Sequence, residues 1–406
     1  MGAPTNYYVD AVDGSDLNAG TSPGEGNAWA TLQHALDNIT PDADGDQINI
    51  KGTQSLSFVG PSPPAQAWVL SDYGTPTPHA PLIVRGYTST ANDGGIATIE
   101  EGNHGITFGG SEVNWVHFAD VFFNGDSGLN QHFHESLGIG CSFHRCRFQG
   151  TGTTSLIQLD AETSIFFQDC LFEKYTYAVR AMGHSDLHFS NCVFRRNNGS
   201  SSVGNSYGGI FGDGSKSKIY VHRCIFDSNT TGGNLGNNPE ISTGGRSVTV
   251  RNCSFYNPDD NVKWIVKTSS EGTRLVFLNN LIEGYGGTGA QVLYSSSSKD
   301  WYLVETGGNS ARDYTAWKDA NLHTFKDWGD DQLPVGGSSS VFVDAANDDF
   351  TPVPSTLDSK FSVPGDWPKV GAAASKMDRG AIQRNTAGTL VMPSERGLHP
   401  VDWGSV

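Results

Sequence analysis

At 406 residues, with 50 glycines and only 17% charged residues, the chain is long enough for two or three ordinary domains or for one elongated repeat domain. Its 21 Phe, 13 Tyr and 9 Trp supply core material that a disordered chain lacks. A net charge of −17 argues against a nucleic-acid binder while leaving room for a local basic groove, and no stretch is long and apolar enough to span a bilayer.

The chain opens on MGAPTNYYVD, which has neither the charged n-region nor the apolar h-region of a secretory signal. Two readings stand: a leader has been removed, or the protein never carried one, as for a cytoplasmic protein or a virion component released by lysis. Asp10, Asp13, Asp16 and Asn18 follow in a turn. Calcium is conceivable there, but the EF-hand spacing and its closing Glu are missing, so a glycine-rich Asx turn is the preferred reading. Trp29, Leu32, Leu36 and Ile39 recur at helical spacing and predict a short amphipathic helix. Residues 1–45 therefore read as a cap over the open end of whatever follows, shielding an edge that would otherwise pair with another chain.

Residues 46–310 carry an internal repeat, the feature to settle before any other. An apolar residue, two mostly polar ones, Cys or a substitute, any residue and Phe recur as FADVFF, FHRCRF, FQDCLF, FSNCVF, VHRCIF, VRNCSF and FLNNLI. The equivalent positions are Val121, Cys146, Cys170, Cys192, Cys224, Cys253 and Asn280, at intervals of 22 to 32 residues. Such a period fits three short strands and three turns, one coil of a solenoid. Each motif then marks two strands meeting at a corner, and stacking at roughly 4.8 Å turns equivalent positions into columns. Five of the six cysteines fall in the column and Cys141 outside it. No CxxC pair exists, and a column of equivalent thiols is not a tetrahedral metal site, so the cysteines read as reduced, inward, small apolar groups. Reduced thiols lean away from an oxidising compartment. The fold class is thus all-β, a parallel β-helix with a short N-terminal helix and an irregular C-terminal segment.

The strand before each cysteine motif offers an outer face: QHFHES, LIQLD, AVRAM, GIFGDG, EISTG and WIVKT. With Phe133, Ile157, Val179 and Ile210 inward, alternation turns His132, His134, Gln158, Arg180, Phe211 and Asp213 outward. Asp160 ends its strand and His184 sits in the turn after Arg180. A polysaccharide lyase needs a base beside cations that neutralise a uronate carboxylate, a role open to His134, Arg180 and Lys267. A glycosidase needs two carboxyl groups, and Asp160 with Asp213 are the available pair. Phe211, Trp264 and Tyr294 could stack on sugar rings, with His132, Gln158 and His184 as further ligand contacts. Against these stands the plain alternative of a solvated polar face.

Beyond residue 310 the repeat fades, and WKDANLHTFKDWGDD reads as an irregular or helical excursion within a segment, 311–383, that closes the solenoid. Residues 384–406 form a C-terminal arm that either folds back or reaches a neighbouring subunit.

The opening YYVDAVDGSDLNAGTSPGEGNAWATLQHALDNI with DGDQINIKGT, and the closing VFVDAANDDFTPVPSTLDSKF with KMDRGAIQ, resemble the ends of the pectate-lyase-like right-handed parallel β-helix superfamily. With the repeat, the resemblance covers roughly residues 6 to 383. It implies a right-handed coil and says little about function, since this architecture serves lyases, hydrolases, phage spikes and adhesins. The vWiDH and RxP strings of pectate lyases, the paired aspartates and GHG string of polygalacturonases, and the alginate-lyase pattern are not found; GHSD at 183–186 is not the GHG motif. The leading expectation is a bacteriophage virion protein (spike, fibre or capsid decoration) facing polysaccharide, because the opening segment looks like that of leaderless phage β-helix proteins. It would sit on the virion surface or outside the cell, as a homo-oligomer such as a trimer or with other virion proteins, and need no cofactor unless calcium binds near Asp10, Asp13 and Asp16. The alternative is a secreted polysaccharide lyase or glycoside hydrolase; the third is an adhesion module.

Overall fold

A computed structural model describes residues 3–55, 75–100, 106–107, 114–125, 133–134, 137–150, 155–159, 163–175, 177–181, 183–195, 209–212, 216–227, 239–257, 264–269, 273–285, 291–295, 301–314, 316–318, 322–327, 342–344, 349–352, 358–362, 376–378, 383–384 and 390–391. Three long sheets dominate it, of twelve, ten and nine strands, and every pairing within them is parallel. One coil shows the plan. Thr163–Gln168 lies in sheet 1, Leu171–Glu173 in sheet 2 and Tyr177–Ala181 in sheet 3; the chain then enters the next coil at Ser185–Ser190, again in sheet 1. Alternation drives the stacking: in Ser185–Ser190 every second residue is buried, so each strand keeps one face in the coil and one outside.

The corner between sheets 1 and 2 is the same in coil after coil. Asp120, Arg145, Asp169, Asn191, Arg223, Asn252 and Asn279 all hold φ between 51° and 58°, and each is followed by a column residue. A left-handed residue turns the chain sharply without a long loop, and Asn and Asp tolerate that conformation better than most. Outside the corner these residues bridge coils: Arg145 holds Asp120 through two 2.6 Å bonds, and Asn191 donates to Asp169 at 3.0 Å.

Inside the corner the thiols of Cys146, Cys170, Cys192 and Cys253 donate to the carbonyls of Phe118, Phe143, Phe167 and Val221 in the preceding coil, at 3.4 to 3.7 Å. Burial pushes the four thiols of Cys146, Cys170, Cys192 and Cys224 well above the ordinary range, so they stay neutral donors. Asn280 takes over the position with its amide, donating to the Val250 carbonyl at 3.4 Å and accepting from the Cys253 N–H at 2.9 Å. Asn309 repeats this one coil later, donating to the Phe277 carbonyl at 3.1 Å.

Two phenylalanine columns flank the corner. Phe118, Phe143, Phe167 and Phe189 stack at 5.3, 5.1 and 4.9 Å. Phe123, Phe148, Phe172, Phe194, Phe226 and Phe255 stack at 4.6 to 5.0 Å. Each ring contact adds about 0.5–1.5 kcal/mol beyond area burial. One continuous core results, running from Val9 to Ala311.

The ends differ from expectation. Sheet 1 begins inside the cap, with Thr5–Asp10 paired to Asp46–Lys51. It ends at Leu322–Asp327; in the stretch expected to be an irregular or helical excursion the described residues form the strands Ser310–Tyr314, Ala316–Lys318 and Leu322–Asp327. A ready-made strand edge imposes pairing whatever the local pattern suggests. The helix Leu32–Asn38 buries Leu32, Ala35 and Leu36 against the first coil. Thr31 caps it by accepting from the His34 N–H at 3.2 Å, and Asp16 accepts from the N–H groups of Ala30 and Thr31 at 2.9 and 3.0 Å.

The outer face of sheet 2 is covered. Antiparallel strands Phe342–Asp344 and Asp349–Pro352 place Phe342 and Phe350 against Ile225, Tyr256 and Leu281. Beside them runs an ionic row: Arg147 to Glu173 at 2.7 Å, Glu173 to Arg195 at 3.8 Å, Arg195 to Asp227 at 3.2 Å. Asp358–Ser362 pairs with Lys376–Asp378, and Gln383–Arg384 with Leu390–Val391, both antiparallel; other residues of the arm 384–406 lie outside the described set. Among the described residues no helix is long and apolar enough to cross a membrane.

Candidate functional site

Sheet 3 brings one outward row into register: Gln158, Arg180, Phe211, Ser242, Lys267 and Tyr294. Its inward neighbours Ile157, Val179, Ile210, Ile241, Val266 and Leu293 are 0–1% exposed. His134 follows Phe133, which pairs with Ile157, so its backbone sits next to Gln158 in the same row. His132, Asp160 and Asp213 lie outside the described residues. His184 is half-buried in the turn that leaves sheet 3, its carbonyl accepting from the Thr163 N–H at 3.1 Å.

Two further side chains reach this face where strict alternation would turn them inward. At the start of the strands two successive residues are buried: Leu156 and Ile157, Ala178 and Val179, Ile265 and Val266, Val292 and Leu293. The N–H groups of Ala178 and Val179 both point at the Gly209 carbonyl, at 3.0 Å each. This local doubling acts as a bulge and re-aims the preceding side chain. Tyr177 and Trp264 therefore lie beside the row, and each carries a cation: the Arg180 guanidinium is 5.7 Å from the Tyr177 ring centre and the Lys267 Nζ 5.0 Å from that of Trp264. Tyr177 also meets Phe211 at 6.0 Å, and Trp264 stacks on Tyr294 at 4.4 Å with a 13° interplanar angle. Trp264 is only 9% exposed, so it is a wall that positions Tyr294 and Lys267, not a freely presented ring. Burial lowers the pKa of Lys267.

The row is thus a strip of two cations, four aromatics and two small hydrogen-bonding groups, Gln158 and Ser242. Arg180 and Lys267 stand three strand spacings apart, about 14 Å. Sequence reasoning missed Ser242 and Tyr177. Ser242 was open to simple alternation; Tyr177 was hidden by the bulge.

The opening acidic turn is committed elsewhere. Asp10 accepts from the N–H groups of Val12 and Asp13 at 3.0 and 3.2 Å and from Lys51 at 2.7 Å; Asp13 lies 3.6 Å from Lys51. Burial works against it, but the bonds from Lys51 and from the Val12 and Asp13 N–H groups hold the Asp10 carboxyl below the usual carboxylate range. Asp16 spends both carboxylate oxygens on the helix cap. Among the described residues no group of His, Cys, Asp and Glu is gathered to hold a metal ion.

Three parallel sheets wound into one coil define a parallel β-helix protein, with a cation–aromatic strip on one face. Residues 141–301 match the family model described as right handed beta helix region, and the coil is a right-handed parallel β-helix. Among solved structures the chain is similar to a GH136 lacto-N-biosidase from Eubacterium ramulus, with 10% identity, 81% of this chain and 68% of that one covered, and a TM-score of 0.30. It is also similar to a rhamnogalacturonan lyase, with 12% identity, 90% and 95% covered, and a TM-score of 0.33. No curated protein matches the sequence.

Proposed function

We propose that this β-helix binds an acidic polysaccharide along the outer face of sheet 3. The observation that supports it is the single row in which Arg180 and Lys267, each over an aromatic ring, alternate with Phe211 and Tyr294. Fixed cations at intervals suit a chain bearing carboxylates at intervals, and ring faces suit the apolar faces of sugars. A protein of net charge −17 gains such a partner through a local field. A virion spike, fibre or decoration protein would turn this face toward its host's polysaccharide; that setting rests on the resemblance of the opening segment to phage β-helix proteins alone.

Titration with polygalacturonate, alginate and neutral dextran tests the proposal. The acidic polymers bind, binding weakens as salt rises, and Arg180→Ala with Lys267→Ala weakens it at least tenfold. Equal binding of dextran, or no change in the double variant, overturns it. A second reading, lyase action, is favoured by Lys267, which stands in the row over Trp264 and whose pKa burial lowers, the direction a catalytic base needs. Unsaturated, ultraviolet-absorbing products from any uronate polymer, lost in Lys267→Ala, establish it; their absence leaves a binding surface.

A further inference from the structure

The outer face of sheet 1 holds a serine and a histidine in hydrogen-bond contact. Ile83, His117, Ser142, Phe166 and His188 follow one another in register, one coil apart. The Ser142 Oγ lies 2.7 Å from the His117 Nδ1, within the reach a hydroxyl nucleophile needs from its base. Both residues are half-buried. Among the described residues neither side chain has a second hydrogen-bond partner. Burial lowers the His117 pKa, so the imidazole is neutral near pH 7. With its proton on Nε2, the ring accepts the Ser142 hydroxyl at Nδ1.

The strand that carries Ser142 is irregular just before it. Ile139–His144 pairs with Thr163–Gln168 through a register shift between Ile139 and Cys141, and the extra residue is Gly140, at φ 75°. A Cβ there would come within 2.3 Å of the Trp115 ring, so only glycine lets the strand bulge against the indole. Asn114 fixes the start of the bulge, its Oδ1 accepting from the Ile139 N–H at 2.6 Å. The shift sets Ile139 opposite Ser164, two places before Phe166 in the next coil. Ile139 and Phe166 are 52% and 45% exposed, two of the large apolar side chains that the described surface leaves open. His188 stacks on Phe166 at 4.6 Å with a 17° interplanar angle, which holds that ring on the side away from Ser142. A hydroxyl with a base thus stands beside an open apolar shelf. The arrangement suits an acyl group, with its carbonyl carbon at the Ser142 Oγ and its hydrocarbon on Phe166 and Ile139.

We propose that Ser142 is a nucleophile, with His117 as its base, that hydrolyses esters of short aliphatic acids. The Ser142 Oγ attacks the ester carbonyl carbon while the His117 Nδ1 takes the hydroxyl proton. The bond from that carbon to the alcohol oxygen then breaks, and the alcohol leaves with the proton. Water attacks the acyl-serine, gives a proton to His117 that returns to the Ser142 Oγ, and the acid is released. The site lies on a different sheet from the cation–aromatic strip and uses none of its residues. Diisopropyl fluorophosphate and p-nitrophenyl butyrate are the probes. One phosphoryl group per chain is expected on Ser142 by peptide mass spectrometry, with release of fluoride, together with turnover of the butyrate ester. Both rates should fall at least tenfold in Ser142→Ala and in His117→Gln, with circular dichroism and melting temperature those of the parent chain. Phe166→Ala should lower kcat/KM for the butyrate ester at least threefold more than for the acetate ester, which a merely structural role would not do. A label on other residues, undiminished turnover in Ser142→Ala or His117→Gln, or equal losses for the two esters in Phe166→Ala overturns the proposal. Polymer binding on sheet 3 is read by neither probe, so the two proposals fall independently.

Discussion

Histidine chemistry on sheet 1 gives the coil an acid-side weakness. His117, His188 and His222 all have lowered pKa values, with burial the largest cause in each. A buried imidazole held neutral costs stability wherever the unfolded chain would take up a proton. For His222 the unfolded value is near 6.5 and the folded one about 3. Its contribution is complete above pH 6.5 and is lost as the pH falls toward 3. Denaturant unfolding measured from pH 7 to pH 4 should show falling stability, and His222→Gln should flatten the fall; a parallel fall in the variant would contradict this assignment. At this scale the sequence was legible where chemistry repeated. The cysteine column and Asn280 stand out because a large apolar residue three before and two after frames each one; Asn309 escaped because ETGGNSA has no such frame.

Among the elements, the pair of strands carrying Phe342 and Phe350 has the clearest structural duty. Phe342 and Phe350 are 1% and 2% exposed, and they lie on Ile225, Tyr256 and Leu281. Those three point outward from sheet 2, so without the strands the coil would present an apolar patch to water. The double variant Phe342→Ser/Phe350→Ser should keep the β-sheet circular dichroism of the coil, bind an apolar dye and self-associate. Unchanged dye binding would show that other residues cover this face. The closing segment resembled a superfamily terminus in sequence, but its docking on sheet 2 could not be read from it, because contact partners several coils back along the chain leave no local pattern. Tyr177 was obscured for a related reason: a bulge is a pairing irregularity, and period-two reasoning assumes none.

The whole molecule is a stack in which each coil touches only its neighbours, so stability is close to a sum of coil and interface contributions. Protection from hydrogen exchange should be greatest in the coils between residues 116 and 195, where both Phe columns run side by side, and fall toward both ends. Phe172→Ala removes a ring contacted above, below and across the core. It should cost about 3–5 kcal/mol, read as a drop in the denaturant midpoint; uniform protection along the chain would refute the additive picture. The coil was the most legible feature because its period is written into the sequence seven times. Where it stops was not, because pairing with an existing edge recruits strands that lack the motif.

The corner between sheets 1 and 2 always takes two residues in the cysteine coils, from Arg145–Cys146 to Asn252–Cys253. The passage from sheet 2 to sheet 3 does not: residues 174–176 make it in one coil, 196–209 in the next. The widest length variation in the cysteine coils therefore lies in this one seam, which opens at the start of the sheet 3 strands, next to Tyr177 and Trp264. A lineage carrying this coil can lengthen or trim the border of its binding strip one coil at a time while the spine keeps its count. Selection for a new ligand and selection for folding would then act on different stretches of the same gene.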